Sequence, residues 1–156
     1  MYNKKQTVRM VYFEDVQDGI QPVSPGIIVD GKEMLEYNRK YDPWPFHVDE
    51  EAAKASPFGG LIASAGYTIS LAYLLSHKVY NSAEFTWAFL GGFDSQMTFP
   101  VPVYAKDKLK YTLEVTGKRL SSKPGRGLVN ILETLTKQND DVVFTAKSIV
   151  LVATRP

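Results

Sequence analysis

The sequence contains no cysteine among its 156 residues. This absence excludes a disulfide scaffold, a cysteine-ligated zinc or iron–sulfur site and a thiol nucleophile. Histidine is also scarce, so any imidazole chemistry must lie at His47 or His77. Lysine and arginine total 18 against 17 for aspartate and glutamate. This balance provides no field for nucleic acid or for an anionic membrane surface, so neither is expected as a partner.

Long hydrophobic runs are absent as well. The best candidate for a membrane span, residues 61–80, is interrupted by Ser64, Thr68 and Lys78, among other polar residues. We therefore interpret this segment as a buried helix and expect no membrane partner. The lysines near the start of the sequence are not followed by an apolar run, so no secretory signal is expected and the predicted compartment is the cytoplasm.

The composition, 44% hydrophobic and 22% charged, is that of a globular protein. At this length we predict a single domain over residues 1–156. Short strands are predicted at 7–13 and 24–29. Asp30 and Glu33 form a capping-box pattern that predicts a helix to about Tyr41, and Asp49 is placed to cap a short helix over 50–55. Two prolines between these helices predict an extended loop.

The second half of the chain has a different periodicity. Apolar and polar residues alternate over 108–115, and 127–137 and 141–153 are two further β-rich runs separated by turn sequences. The segment 61–79 is apolar on nearly every face, which predicts a helix that is covered on most sides. Together these patterns predict an α+β fold in which a curved antiparallel sheet wraps around one central helix.

Asp42 and His47 are the strongest candidates for chemistry. They lie in a loop whose prolines, Pro43 and Pro45, restrict its conformations and so fix the separation of the two side chains. A carboxylate and an imidazole that converge on one water can activate it and return a proton. The alternative interpretation is structural, with Asp42 forming an Asx-turn and His47 a hydrogen-bonded loop residue. His77, near the end of the central helix, is interpreted as structural.

The glycine pair Gly59 and Gly60 precedes the predicted start of the central helix. Free N–H groups and the positive end of the helix dipole at such a position suit a polarised carbonyl oxygen. The alternative is a simple tight turn. A water-activating pair and an N–H donor site are the two parts needed to add water across a conjugated thioester.

The sequence YDPWPFHVD over 41–49, followed by SPFGGLIAS over 56–64, resembles the MaoC-like dehydratases, the (R)-specific enoyl-CoA hydratases. Weaker similarities extend over nearly the whole chain, at 13–19, 99–101, 107–109 and 119–127. The resemblance implies a hotdog fold. It also implies a homodimer or a dimer of dimers that binds acyl-CoA near the subunit interface.

The resemblance also implies roles for individual residues. Asp42 and His47 match the catalytic pair, which would activate a water that attacks C3 of a trans-2-enoyl-CoA while C2 receives a proton. The backbone N–H that holds the thioester oxygen maps to Ala65, with Gly60 and Trp44 also at the substrate. No metal and no organic cofactor is implied, because the substrate itself carries coenzyme A.

Two positions depart from the family pattern. The family usually has glycine at the position of Ala65, where a methyl group now stands beside the expected carbonyl site. Many members carry Asn or Gln at the position of Trp44, whose indole donates a hydrogen bond but does not accept one. These differences affect the expected substrate and rate more than the expected fold.

Three further interpretations remain open. A hotdog thioesterase would direct water at the thioester carbonyl, but 61–79 contains no Asp or Glu, the residue that such enzymes usually place on the central helix. A non-catalytic acyl-binding subunit is the other alternative for the whole protein. A basic cluster surrounds the predicted hairpin at 121–127. It is interpreted either as a contact for CoA phosphates, with Arg126 as the first choice, or as charges that only solvate the turn.

Overall fold

The computed structural model describes residues 8–21 and 25–156. The helices are α1 (Gly31–Tyr41), α2 (Pro45–Val48), α3 (Glu50–Ala55) and α4 (Ala65–Tyr80). The strands are β1 (Arg9–Val11), β2 (Gly19–Ile20), β3 (Ile27–Ile28), β4 (Phe85–Trp87), β5 (Phe89–Thr98), β6 (Lys108–Leu120), β7 (Arg126–Thr136) and β8 (Val142–Ala153). Both predicted N-terminal strands are present in shorter form, while Thr7 and Ser24 at their edges lie outside the described residues.

The main sheet is antiparallel and has the strand order β2-β6-β7-β8-β5, with β3 also paired to β6. The three long strands predicted from the alternating pattern form two consecutive hairpins, in which Leu113 pairs with Glu133 and Ile131 pairs with Ser148. The turns contain Gly125 and Asp140 at positive φ, as turn residues in these connections require. A separate parallel pair joins β1 and β4.

Helix α4 lies in the concave face of this sheet. Its buried side chains, among them Tyr67, Leu71 and Leu75, belong to one apolar cluster with the inward-facing residues of β6, β7 and β8. The predicted α+β arrangement, a curved antiparallel sheet around one central helix, is therefore confirmed. Within the described ranges, no helix combines the length and hydropathy of a membrane-spanning segment.

The start of the central helix was predicted incorrectly. The helix begins at Ala65 rather than at residue 61, and residues 61–64 are extended. Ile62 forms a β-bridge with Tyr104, and the N–H of Ala63 donates to the carbonyl of Val103 at 2.8 Å. Ser64 then caps the helix by accepting a hydrogen bond from the N–H of Tyr67.

The segment between α1 and α3 also differs from the predicted extended loop. Pro45 is the first residue of the short helix α2, and its fixed φ suits that position because the missing N–H has no intrahelical partner there. The N–H of Asp49 donates to the carbonyl of Pro45 at 2.9 Å. The two prolines therefore produce one compact helical turn, which carries His47 inward.

Candidate active site

Asp42 and His47 lie next to each other at the junction of α1 and α2. Asp42 is the C-cap of α1, and its N–H donates to the carbonyl of Asn38. The N–H of Trp44 donates to the carbonyl of Asp42, and that of His47 donates to the carbonyl of Trp44. These bonds close the chain into a tight turn that places Nε2 of His47 3.6 Å from Oδ2 of Asp42.

A backbone carbonyl fixes the tautomer of His47. Its Nδ1 lies 2.9 Å from the carbonyl oxygen of Ile62, and because that oxygen only accepts, Nδ1 must carry the proton. In the neutral ring, Nε2 therefore presents a lone pair toward Asp42. His47 is only 6% exposed, whereas the Asp42 side chain is 37% exposed. Two facing acceptors suit a bridging water that donates one hydrogen bond to each.

Asn38 is the residue that holds this arrangement together, and the sequence reasoning did not assign it to the site. It is fully buried, and its Nδ2 donates to the carbonyl of Ile62 at 3.0 Å and to that of His47 at 3.2 Å. Its Oδ1 accepts from the N–H of Ser64 at 3.1 Å. Its position on the apolar face of α1 beside Met34 could have indicated this role, because a buried polar side chain there needs hydrogen-bond partners.

The N-terminal end of α4 lies on the other side of the Asn38 anchor. The first N–H groups of a helix have no intrahelical acceptor. Within the described residues the N–H of Tyr67 donates to the Ser64 side chain and that of Thr68 to the Ser64 carbonyl, whereas those of Ala65 and Gly66 have no acceptor. Ala65 itself is exposed. An unpaired donor at the positive end of the helix dipole is thus joined through Ser64 and Asn38 to the Asp42–His47 pair.

A second connection between α1 and α4 comes from Tyr67. Its hydroxyl donates to Oε2 of Glu33 at 2.9 Å, and burial together with this hydrogen bond raises the pKa of the phenol. Tyr37 packs against the same end of α4, where a Cβ added to Gly66 would lie 2.9 Å from the Tyr37 hydroxyl oxygen. The helix that carries Asn38 is therefore held tightly against the helix that carries Ala65.

Two other predicted site residues, Trp44 and Gly60, occupy different surroundings. Trp44 is 61% exposed at the start of α2, in the turn between Asp42 and His47. Gly60 is half-buried and precedes the extended segment rather than the helix, so it is not at the helix N-terminus as predicted. His77, which the sequence indicates to be structural, lies in the last turn of α4, at the other end of that helix from Ala65.

Arg126 lies at the opposite end of the sheet from the pair. It begins β7 beside the pairing of Leu120 with Gly127, whereas the segment around Tyr104 that bridges Ile62 precedes β6. At about 3.3 Å per residue, the 13-residue strand β6 runs roughly 40 Å along its length between these two ends. Within one protomer the structure does not bring Arg126 to the Asp42–His47 pair.

Comparison with known proteins identifies the family. The model of the MaoC like domain matches residues 18–136. The chain belongs to the MaoC-like domain family. It is 29% identical over 124 residues to the uncharacterized protein YdeM of Bacillus subtilis (strain 168), an alignment that covers 80% of this chain and 86% of that protein.

Solved structures agree with this assignment. The MaoC-like dehydratase from Rhodospirillum rubrum is 28% identical and superposes with a TM-score of 0.83, covering 93% of this chain and 98% of that one. The R-hydratase PhaJ1 from Pseudomonas aeruginosa is 18% identical with a TM-score of 0.71, covering 95% and 89%. The predicted family and the predicted hotdog fold are both confirmed.

Proposed function

We propose that the protein reversibly adds water across the double bond of a 2-enoyl-CoA thioester to give a 3-hydroxyacyl-CoA. The observation that carries this proposal is the pairing of Asp42 with His47, whose Nε2 faces Oδ2 of the carboxylate at 3.6 Å. Because Nδ1 donates to the carbonyl of Ile62, Nε2 remains an acceptor in the neutral ring. The names of the related dehydratase and R-hydratase support the same class of reaction.

The reaction divides into two balanced parts. A water held by both side chains loses one proton to the Asp42–His47 pair as its oxygen forms a bond to C3 of the substrate. The electrons of the double bond move toward C2 and the thioester oxygen, where the N–H of Ala65 stabilises the developing negative charge. The pair then returns a proton to C2. The pair ends as it began, and neither a metal nor an organic cofactor takes part.

Hydration would be followed at the absorbance of the enoyl thioester with short, medium and branched 2-enoyl-CoAs. We expect the purified protein to convert at least one of them to the 3-hydroxy product and the Asp42→Asn variant to be strongly impaired. Release of free CoA instead would indicate thioester hydrolysis. Binding without turnover would indicate a non-catalytic acyl-binding subunit, and either outcome would contradict the proposal.

We also propose that the functional form is a homodimer or a dimer of dimers. Strand β5 pairs with β8 along one edge, and within the described part of the chain no strand covers its other edge. Phe89, Leu90 and Phe93 on this strand are exposed, which is unusual for a protein that remains a monomer. Light scattering that gives 17.5 kDa at micromolar concentration would contradict this proposal.

We propose further that Arg126 contacts the CoA phosphates, on one condition. Since it lies at the far end of β6 from the pair of its own protomer, a second copy would have to supply it. Arg126→Ala should then raise KM for the CoA thioester and leave kcat nearly unchanged. An unchanged KM would return the residue to the alternative role of solvating the hairpin turn.

A further inference from the structure

A cavity of about 740 Å³ lies between the C-terminal half of α4 and the inner faces of β5, β7 and β8. This volume is in the range of pockets that hold small ligands. Most of its wall is apolar, including Ile131, Phe144 and Val150. Neither Asp42 nor His47 lines it. At 1.5 Å per residue, its nearest helical residue, Ala72, lies roughly 10 Å along α4 from Ala65.

Glu133 is a charged residue in this wall at a position where the alternation of β7 calls for an apolar side chain. Val129, Ile131 and Leu135 alternate along the inward face of β7, and Glu133 occupies the same face. Glu133 is 8% exposed and lines the cavity. A carboxyl group in such surroundings is costly unless it is hydrogen-bonded. Its presence therefore needs either a structural or a ligand-binding explanation.

Only half of this carboxyl group is satisfied by the protein. The hydroxyl of Tyr111 donates to Oε1 of Glu133 at 2.6 Å. Oε2 has no hydrogen bond within the described residues, yet no fully buried side-chain oxygen or nitrogen there lacks a partner. Oε2 is therefore accessible, and because the residue is otherwise enclosed, the space it faces is the cavity.

The ionisation states of the neighbouring groups indicate that a ligand should offer Oε2 a hydrogen-bond donor. Burial, and then the Glu133 carboxyl, raises the pKa of both Tyr80 and Tyr111, so both phenols stay protonated at neutral pH. Burial also raises the pKa of Glu133, partly opposed by the bond from Tyr111. A ligand hydroxyl that donates to Oε2 would complete the hydrogen bonding of the carboxyl group in either ionisation state.

We propose that this cavity receives the distal part of the substrate's acyl chain and that Glu133 selects a chain carrying a hydroxyl group. The ligand class is a hydroxylated medium-chain acyl thioester. The identity of the ligand as a thioester rests on the proposed function, whereas the preference for a hydroxyl rests on Glu133 and the cavity alone. Glu133 is a specificity residue here and takes no part in the hydration step.

The test uses saturated acyl-CoAs, which bind without reacting. Calorimetry would compare members of a medium-chain length series, each with and without a terminal hydroxyl group. We expect the wild-type protein to bind the hydroxylated member about tenfold more tightly at one or two chain lengths, the gain of one charge-assisted hydrogen bond. Equal affinities at every length, or no binding of either series, would overturn the proposal.

Substitutions at Glu133 test whether its carboxyl group causes the preference for hydroxylated acyl-CoAs. Glu133→Leu should abolish it, and so should the double variant Glu133→Leu with Tyr111→Phe, which also removes the Tyr111 hydroxyl that would otherwise lose its acceptor. Glu114→Leu, on the neighbouring strand but half-exposed, is the matched control and should keep the preference. A preference that survives in both Glu133 variants overturns the proposal.

The outcome is distinguishable from that of the hydration assay. A hydroxyl preference without hydration of any enoyl-CoA would leave the cavity assignment standing and remove the proposed reaction. Hydration with no hydroxyl preference in binding would do the reverse.

Discussion

Nε2 of His47 lies 3.6 Å from Oδ2 of Asp42. Asp42 caps the C-terminus of α1, whereas His47 belongs to α2. The turn that joins them is closed by backbone bonds from Trp44 to Asp42 and from His47 to Trp44. The imidazole is further fixed from behind by the carbonyl of Ile62. Geometry of this kind is what general acid–base catalysis requires before any tuning of pKa.

The first prediction concerns this pair. Asp42→Asn keeps the side-chain size but removes the base, and His47→Ala removes the proton shuttle. Because general acid–base groups typically contribute about 10²–10⁴-fold, each variant should lose roughly 3–5 kcal/mol of transition-state stabilisation. Steady-state kinetics should show this loss in kcat, with KM changed far less.

The double variant separates catalysis from structure. If both groups act on one water, the double variant should lose little more than the worse single variant. A purely structural role predicts instead that activity follows the melting temperature. Folded variants with unaltered melting temperatures and wild-type hydration rates would show that the assignment is wrong.

The second prediction concerns the Asn38 anchor. Asn38→Asp keeps an acceptor for the N–H of Ser64 but places an oxygen against two carbonyls. That of His47 loses its donor, and that of Ile62 keeps only the Nδ1–H of His47. Since each unsatisfied buried group costs about 1–3 kcal/mol, we expect the free energy of unfolding to fall by about 2–4 kcal/mol in urea denaturation.

The same variant should also affect catalysis, because Asn38 positions Ile62, which orients His47. We expect kcat to fall and its pH profile to change in the fraction that remains folded, whereas a merely structural residue would leave the profile unchanged. Asn130→Asp, at an exposed position of β7, is the control. Equal stability of the two variants would contradict the anchor role.

Features that depend on interactions between residues close in sequence were predictable from the sequence. The alternation of apolar and polar residues in β6 is a local pattern set by the pleat of the strand, so it predicted the hairpins. The capping residues Asp30 and Asp49 act within one turn, and both helices begin where these residues indicated. The proximity of Asp42 and His47 was predictable because prolines restrict the short segment between them.

The start of α4 has one local signal, the N-cap residue Ser64, but tertiary bonds decide it. The segment before it is extended because Ile62 and Ala63 bond to Tyr104 and Val103, far along the chain. The location of Arg126 relative to the pair likewise depends on the length and register of β6. Both are tertiary relationships that override local preference.

The third prediction concerns the departure at Ala65. Gly permits closer approach of a thioester oxygen to the N–H at this position, and Ala65 is exposed, so its methyl group contributes no core packing. We expect Ala65→Gly to retain or increase hydration activity, at a stability cost of no more than about 1 kcal/mol. Ala55→Gly, an exposed position in α3, controls for the loss of helix propensity.

The result at Ala65 bears on the substrate as well as on the rate. A large loss of activity in folded Ala65→Gly protein would show that the methyl group contacts the ligand and that this site is adapted to a different acyl group from that of relatives with glycine. Competition between straight and branched enoyl-CoAs in the same assay would identify which group is preferred.

The fourth prediction concerns acid stability and the buried ion pair between Asp107 and Lys137, whose Oδ2 and Nζ are 2.9 Å apart. The Asp107 carboxylate also accepts from the N–H of Tyr104 and from Gln138. Burial by itself opposes ionisation, but these hydrogen bonds and the lysine charge outweigh it and hold the pKa of Asp107 below its ordinary value. The pair fixes the segment that bridges Ile62 behind His47.

The sign of the pH dependence follows from this lowered pKa. The folded protein holds the ionised carboxyl group more favourably than the unfolded chain does, so the stabilisation is present above the unfolded pKa of about 3.9 and is lost as the pH falls through the lower folded value. In urea denaturation between neutral pH and pH 3, wild-type stability should therefore decline more steeply than that of Asp107→Asn, which has no proton to bind. The exposed variant Glu51→Gln should leave the acid slope nearly unchanged, since its pair with Lys54 lies on the surface. Parallel slopes for the wild-type protein and Asp107→Asn would show that this carboxyl group does not govern acid stability and that the segment behind His47 is held by its backbone bonds alone.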